Sequence, residues 1–456
     1  MKASITLPAL IADNMVLQQN QKVAIWGWTT LNDEKIKVCG SWNDDSISVV
    51  SKEGKWKVFL QTPKFGGPYT VCIKGIESKT IQNVMIGEVW LASGQSNMAM
   101  TVDSMNKNIR GVTNRIQKIA EANYPTIRMF TVQHKLDSIP QDNCEGDWQI
   151  CNPENVRKFS ATAYFFAKTL VDSMHVPVGI INSSWGGSEA ESWLKKELIT
   201  NNERLYKGYK KLIGKKLAAT APGLKYNAMI YPLENYVIKG AIWYQGERNK
   251  PNANVYTELM TNLITSWRAA RYTDFPFYLV QIVPLSQKNI STTFLRDAQR
   301  QILTVAKTGM VVTSDFSDIT NLHPPQKEEV GRRLALWALS KDYGKKLVCS
   351  GPLYKSMKVK GSKIIVSFDY AQGGLMVKGG TLNNFEIAGN DHLYLKAEAE
   401  IIGSKVLVFS NKIKEPVAVR YAFSDDAQSQ IYNKAGLPAS IFRTDTLSCS
   451  ASTKNN

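Results

Sequence analysis

The chain is poor in histidine and has no long apolar run. Its four histidines in 456 residues are dispersed, which argues against a metal hydrolase. No stretch reaches the roughly 20 apolar residues of a membrane-spanning helix, so no membrane insertion is expected. None of the six cysteines (Cys39, Cys72, Cys144, Cys151, Cys349 and Cys449) forms a CxxC pair, which makes a zinc site unexpected. Cys144 and Cys151 flank a short loop with Gly and Trp; a local disulfide and a pair of free buried thiols are equal readings. Acidic residues are scarce, 39 against 56 basic, giving a net charge of +17. There is no nucleic-acid motif and no basic helix with interleaved aromatics. The charge, densest from Lys207 to Lys225, therefore reads as a solvated basic surface that is compatible with an acidic substrate. Met1-Lys2-Ala3-Ser4 lacks a hydrophobic signal core, so the protein is read as cytosolic or as already trimmed of a leader. Repeats, heptads and low-complexity linkers are also missing.

What is present is a three-part pattern. The length implies two or three domains. Residues 1–80 carry short alternating runs, Val23–Trp28, Lys35–Val38 and Trp56–Leu60, separated by Gly, Asn, Asp and Pro, as in a small antiparallel sandwich. Residues 81–345 alternate apolar strands with amphipathic helices. The strands are Val84–Ala92, Pro177–Asn182, Val237–Tyr244, Phe277–Ile282 and Met310–Thr313. The helices are Pro153–Met174, Val255–Ala270 and Gln326–Leu339. That alternation predicts an α/β fold, a central parallel sheet covered on both faces. Residues 346–456 return to β character, at Ile364–Phe368, Glu400–Ile402, Val406–Phe409 and Val417–Tyr421. This last region is expected to pack with the N-terminal β domain. The tail from Ser448 to Asn456 is expected to fray.

Parallel sheets put active sites at the carboxyl ends of their strands, and four strand ends here carry unusual polar residues. Ser96 follows the first. Ser183, Ser184, Trp185, Gly186, Gly187 and Ser188 follow the second, and Gln245, Gly246, Glu247, Arg248 and Asn249 the third. Asp315, Asp318 and His323 follow the last. A serine hydroxyl needs a base to take its proton, and His323 is the natural candidate because an unperturbed imidazole titrates near neutrality. The tetrahedral oxyanion needs preorganised donors. The N–H groups of Ser96 and Gly187 suit that job, with Gln245 or Asn249 supplying a side-chain amide. His134, His175 and His392 read as structural, His175 as the C-cap of its helix. The competing readings are plainer: Ser96 is a turn residue, His323 a cap, Gly186-Gly187 a tight turn, and Glu247 a partner of Arg248 or a lysine. The order of the four blocks along one α/β unit favours catalysis.

Gly87-Glu88-Val89-Trp90 with Gly94-Gln95-Ser96-Asn97-Met98 resembles the first block of sialate O-acetylesterases, members of the SGNH (GDSL-like) hydrolase superfamily. Ser183-Ser184-Trp185-Gly186-Gly187 with Glu191-Ser192-Trp193 resembles the second block. Tyr226–Leu233 with Gly240, Trp243-Tyr244-Gln245-Gly246-Glu247 and Asn249 resembles the third. Asn321-Leu322-His323-Pro324 with Lys327, Gly331 and Arg332 resembles the last. Asp13–Gln18 and Tyr432–Ser440 with Phe442–Asp445 match near the two ends, so the resemblance covers nearly the whole chain.

The resemblance implies an SGNH-type (flavodoxin-like) hydrolase domain flanked by antiparallel β domains. The activity implied is a cofactor-free removal of O-acetyl groups from carbohydrates, most often sialic acid, by a protein that is often periplasmic or secreted. Acetylated xylan is the alternative substrate. A non-catalytic carbohydrate-binding protein, stacking sugars on Trp26, Trp185, Trp193 or Trp243, is a more distant reading. Gln95, Asn97, Trp185, Arg248 and Asn249 are candidate substrate contacts, with Arg248 suited to a carboxylate. One departure stands out. Superfamily members often place an aspartate three residues before the histidine, and here that residue is Thr320. Glu247 is then the first candidate for orienting His323, with Asp318 and Asp315 next. In this branch the resemblance favours Gln245 over Asn249 as the amide donor.

Overall fold

The computed structural model describes residues 4–43, 45–106, 109–213, 221–286, 291–316 and 318–445. The expected fraying tail, Cys449 and part of the basic stretch lie outside these residues. Seven strands form the central layer: β1 (Ser78–Gly94), β2 (Tyr124–Thr131), β3 (Trp148–Cys151), β4 (Val178–Ser184), β5 (Gly240–Tyr244), β6 (Phe277–Val280) and β7 (Thr308–Val311). Their spatial order is β3-β2-β4-β1-β5-β6-β7. All neighbours are parallel except β3 on β2, which is antiparallel. β2 and β3 were not expected from the sequence. Each mixes buried with exposed positions, so neither reads as a continuous apolar run.

Five helices matter for the site: α1 (Ser96–Ala99), α2 (Ala161–Met174), α3 (Ala253–Ala270), α4 (Thr293–Gln301) and α5 (Lys327–Lys341). Side chains alternate across a strand, and β1 displays this directly. Val89 and Leu91 join the core that holds Tyr256, Leu263 and Trp267 of α3. Trp90 and Ala92 join the opposite core, with Phe166 and Leu170 of α2 and Leu334 and Trp337 of α5. Both faces are thus covered, as near-continuous apolar strands require. Burial of each large side chain contributes about 1.5–3 kcal/mol; Trp90, fully buried, meets Phe166 edge-on at 4.9 Å.

Helix α2 begins later than Pro153. Asn155–Lys158 form a separate 3-10 turn, Phe159 is extended, and the Ser160 hydroxyl accepts the Ala163 N–H at 3.2 Å. A side-chain N-cap outcompetes the proline start because it satisfies an otherwise orphaned donor.

The boundary expected at residues 80–81 is crossed by one strand. β1 is 17 residues long, and only its second half is continuously buried. Its first half pairs antiparallel with Gly66–Lys74 of the N-terminal β region, while Val16–Gln18 lie parallel to Met85–Gly87. The C-terminal region forms antiparallel sheets, including Leu353–Lys360, Lys363–Asp369, Lys405–Phe409 and Glu398–Ile402. Among the described residues it is anchored to the α/β block by several side chains. Asp425 accepts the Thr292 and Thr293 N–H groups at 2.6 and 3.0 Å, Arg443 pairs with Asp297 at 3.3 Å, and Gln281 donates to Ser440 at 3.1 Å.

Cys39, Cys72, Cys144, Cys151 and Cys349 are free thiols, so the disulfide reading for Cys144 and Cys151 is not realised. Burial pushes both of those thiols up to about 12. No helix among the described residues is long and apolar enough to cross a membrane.

Candidate active site

The strand ends are level: Gly94 of β1 lies opposite Ser184 of β4 and Tyr244 of β5. The chain leaves β1 through Gly94, whose φ is +137°, a value L side chains rarely adopt. A Cβ there would stand 2.2 Å from the Tyr244 carbonyl oxygen, so only glycine permits the approach. The Gln95 N–H then donates to that carbonyl at 3.0 Å, and Ser96 opens α1. The hydroxyl is thereby displayed above the centre of the sheet.

His323 arrives on the loop between β7 and α5. Its Nε2 lies 2.8 Å from Ser96 Oγ. The two residues are 227 positions apart in sequence. Burial, reinforced by the Lys327 charge, holds the imidazole down at about 4. It is therefore neutral near pH 7, as a base must be. Among the described residues no carboxylate is hydrogen-bonded to it.

The three expected orienting acids are all engaged elsewhere. Glu247 is buried and accepts from Asn97 Nδ2 at 2.5 Å through Oε1, while its Oε2 has no partner. Asp315 forms a bidentate pair with Arg333 at 2.7–2.9 Å. Asp318 is exposed and caps Thr320. Burial pushes Glu247 above the usual carboxylate range, with the Asn97 bond and the Lys327 charge opposing that shift.

Asn97 is fully buried and is no substrate contact. Its amide joins three elements. Nδ2 donates to Glu247 and, at 2.9 Å, to the Leu322 carbonyl; Oδ1 accepts from Lys327 Nζ at 2.6 Å. Two acceptors on one side and an ammonium on the other fix which way the amide faces. Lys327 also donates to the Pro324 carbonyl at 2.8 Å. It was legible only as part of a motif; nothing in its local sequence marks a buried lysine.

The second wall comes from the turn after β4. Gly186 stands directly beside Ser96: a Cβ there would lie 3.5 Å from Ser96 Cβ. Gly187 has φ +72° and open space where a Cβ would be. Among the described residues, the N–H groups of Ser96 and Gly187 donate to no protein acceptor.

The expected amide donors do not complete this arrangement. Gln245 and Asn249 are fully buried. Gln245 Nε2 is occupied by Ser188 O at 3.2 Å and Asn249 Oδ1 at 2.7 Å, and its Oε1 accepts from Tyr256 at 2.8 Å. Asn249 donates to Glu191 at 2.9 Å and Asn252 at 3.1 Å, and accepts from the Ala190 N–H. Together they brace the 184–190 turn from below. Gln95 differs. Its Oε1 accepts the Gly246 and Arg248 N–H groups, both at 3.3 Å, which leaves its amide nitrogen toward the cavity it lines.

That cavity, about 420 Å³, is lined by Gln95, Ser96, Gly186, Gly187, Glu247 and His323 at the end nearest Ser96. Ile109, Leu212 and Pro251 give it an apolar side, and Lys211, Arg248 and Lys250 a cationic rim. Arg248 is held by buried Glu189 at 2.8 Å. Trp185 does not line the cavity; its ring stacks on His134 at 4.2 Å with 6° between planes. Trp193 and Trp243 are fully buried and Trp26 nearly so, which makes them core residues rather than sugar platforms. Among the described residues no three His, Cys, Asp or Glu side chains are gathered as a metal site requires.

Residues 86–340 match the model of the carbohydrate esterase family described as sialic acid-specific acetylesterase. Mouse sialate O-acetylesterase is 29% identical over 514 residues, covering 95% of this chain and 93% of its own. The human sialate O-acetylesterase is likewise 29% identical, over 489 residues, covering 95% and 91%. A solved carbohydrate acetylesterase from Xanthomonas citri superposes with a TM-score of 0.87 at 36% identity, over 97% of this chain and 100% of that one. The chain belongs to the sialic acid-specific acetylesterase family of carbohydrate esterases and is a carboxylic ester hydrolase.

Proposed function

We propose that this protein is a serine esterase that removes O-acetyl groups from sialic acid through an acyl-enzyme. The observation that carries the reading is the 2.8 Å contact of Ser96 Oγ with His323 Nε2, beside N–H groups that have no other acceptor. His323 takes the Ser96 proton as Oγ bonds to the acetyl carbonyl carbon. The carbonyl electron pair moves onto oxygen, where the Ser96 and Gly187 N–H groups and the Gln95 amide receive it. Collapse breaks the bond to the sugar oxygen, and His323 returns the proton to that oxygen. Water, deprotonated by the same imidazole, then attacks the acetyl-serine; the acyl–Oγ bond breaks, acetate leaves and His323 returns the proton to Ser96 Oγ.

The cationic rim of Lys211, Arg248 and Lys250 favours an anionic sugar over neutral xylan. Arg248 is oriented by Glu189 through Nε, which leaves the other guanidinium nitrogens for a carboxylate. The family's habit of export makes a periplasmic or secreted setting the favoured one. Two measurements test the reading. Ser96→Ala should abolish acetate release from an aryl acetate while the protein stays folded; retained turnover refutes the nucleophile. O-acetylated sialic acid should be deacetylated with a higher kcat/KM than acetylated xylo-oligosaccharides; the reverse order refutes the substrate.

A further inference from the structure

We propose that Lys327 is the positioning residue for His323, taking the place of the orienting carboxylate by pinning the loop on both sides of the imidazole. This inference rests on His323 being the catalytic base. The carbonyl just after His323, that of Pro324, accepts directly from Lys327 Nζ at 2.8 Å. The carbonyl just before it, that of Leu322, accepts from Asn97, which in turn accepts from Lys327 at 2.6 Å. The Asn321 side chain adds a third restraint, accepting the His323 N–H at 2.9 Å. Among the described residues the ring makes one side-chain bond, to the Ser96 hydroxyl. Its aim is therefore set by the backbone that carries it, and the restraints on the two carbonyls flanking it run through one ammonium. Asn97 also sits next to the nucleophile, so the same lysine ties both reacting side chains to α5.

Folding does not account for a lysine here. Lys327 is fully buried and is the first residue of α5. Burial disfavours its charge, and so does the positive end of the helix. The ammonium is held down at about 7, with burial outweighing the attraction of Glu247. Rules broken without local compensation point to functional sites. An aspartate beside His323 would raise its pKa, whereas an ammonium lowers it. The charged groups near the pair are Glu247 beyond Asn97, and Glu189, Lys211, Arg248 and Lys250 around the cavity; the neutral Tyr244 ring lies 5.2 Å from Lys327.

Lys327→Met matches the side chain as far as Cε and removes the ammonium with both of its hydrogen bonds and its charge. Lys327→Gln removes the charge and keeps a donor. With an aryl acetate, the Met variant should lose about 10²-fold in kcat, the usual cost of a misplaced reacting group, with KM within about threefold. The acid limb of its pH profile should move up by about one unit as His323 loses its cationic neighbour. The Gln variant should keep more of its kcat yet show the same movement of the limb. A folded Met variant within about threefold of wild-type kcat, or a limb that stays where it was, overturns the assignment. NMR titration of His323 in the otherwise intact protein with Ser96→Ala is independent of turnover. It should give a value well below 6.5, and a value at or above 6.5 overturns the arrangement even where neither lysine variant folds. Absent esterase activity in the wild type would instead sink the enzymatic reading and leave that titration unaffected.

Discussion

Two glycines flank the nucleophile, and the structure assigns them different physical jobs. At Gly94 an added Cβ would meet the Tyr244 oxygen at 2.2 Å, its carbon at 2.7 Å and its nitrogen at 3.0 Å, all backbone atoms of the adjoining central strand. Neither strand can turn a side chain away, so β1 and β5 must separate by about 1 Å to reach ordinary contact. Overpacking of this kind costs about 1–3 kcal/mol, and the φ of +137° adds strain of about 1–3 kcal/mol. The separation also strains the 3.0 Å bond from the Gln95 N–H to Tyr244 that sets the turn. Gly94→Ala should therefore lose about 2–6 kcal/mol of stability and about 10²-fold in kcat, since Ser96 shifts by a comparable distance. At Gly187 nothing lies within 4 Å of the added atom, so only the left-handed backbone is penalised, by about 1–2 kcal/mol. Gly187→Ala keeps its N–H and should stay within about tenfold of wild-type kcat. Denaturant unfolding and aryl acetate hydrolysis measure both quantities. If the two alanine variants behave alike, or if Gly94→Ala is the milder, the steric account of the turn is wrong.

Three further outcomes follow from the same geometry. The imidazole of His323 is held at about 4 against an ordinary 6.5, so activity should persist as pH falls below neutral and drop only on approach to about 4. The unfolded chain takes up this proton first, so this group's contribution to stability is lost as pH falls from 6.5 toward 4; acid unfolding and a kcat/KM profile check both signs. Gln95→Ala should cost roughly 10²–10³ in kcat as a lost oxyanion donor, whereas Gln245→Ala should lower stability by about 1–3 kcal/mol through stranded buried partners, which thermal unfolding separates from kinetics. Lys211→Glu should raise KM for O-acetylated sialic acid several-fold more than for an acetylated xylo-oligosaccharide, and equal effects would remove the cationic rim from substrate recognition.

Ser96, Gly187 and His323 were legible because each follows an apolar strand that must be buried, and strand ends in a parallel sheet share one edge. The tryptophans were not legible as platforms or core, because composition does not say which face of an element is covered. The fused boundary at β1 was hidden for a similar reason. The polar first half, from Ser78 to Asn83, is exposed on alternate residues and looks like a loop until its antiparallel partner is seen. The amides were misassigned by analogy. Gln95, Asn97, Gln245 and Asn249 are chemically equivalent donors in a sequence. What distinguishes them is which partners already occupy them.

By itself the sequence determined the α/β layering and put Ser96 and His323 at the ends of strands of one sheet, because hydrophobic periodicity and chain order are local properties. Only the tertiary structure decided which side chains brace the His323 loop. Glu247 lies one amide away from the role expected of it, and a lysine four residues after the histidine takes the loop instead, because hydrogen bonds are settled by distances that no spacing along the chain encodes.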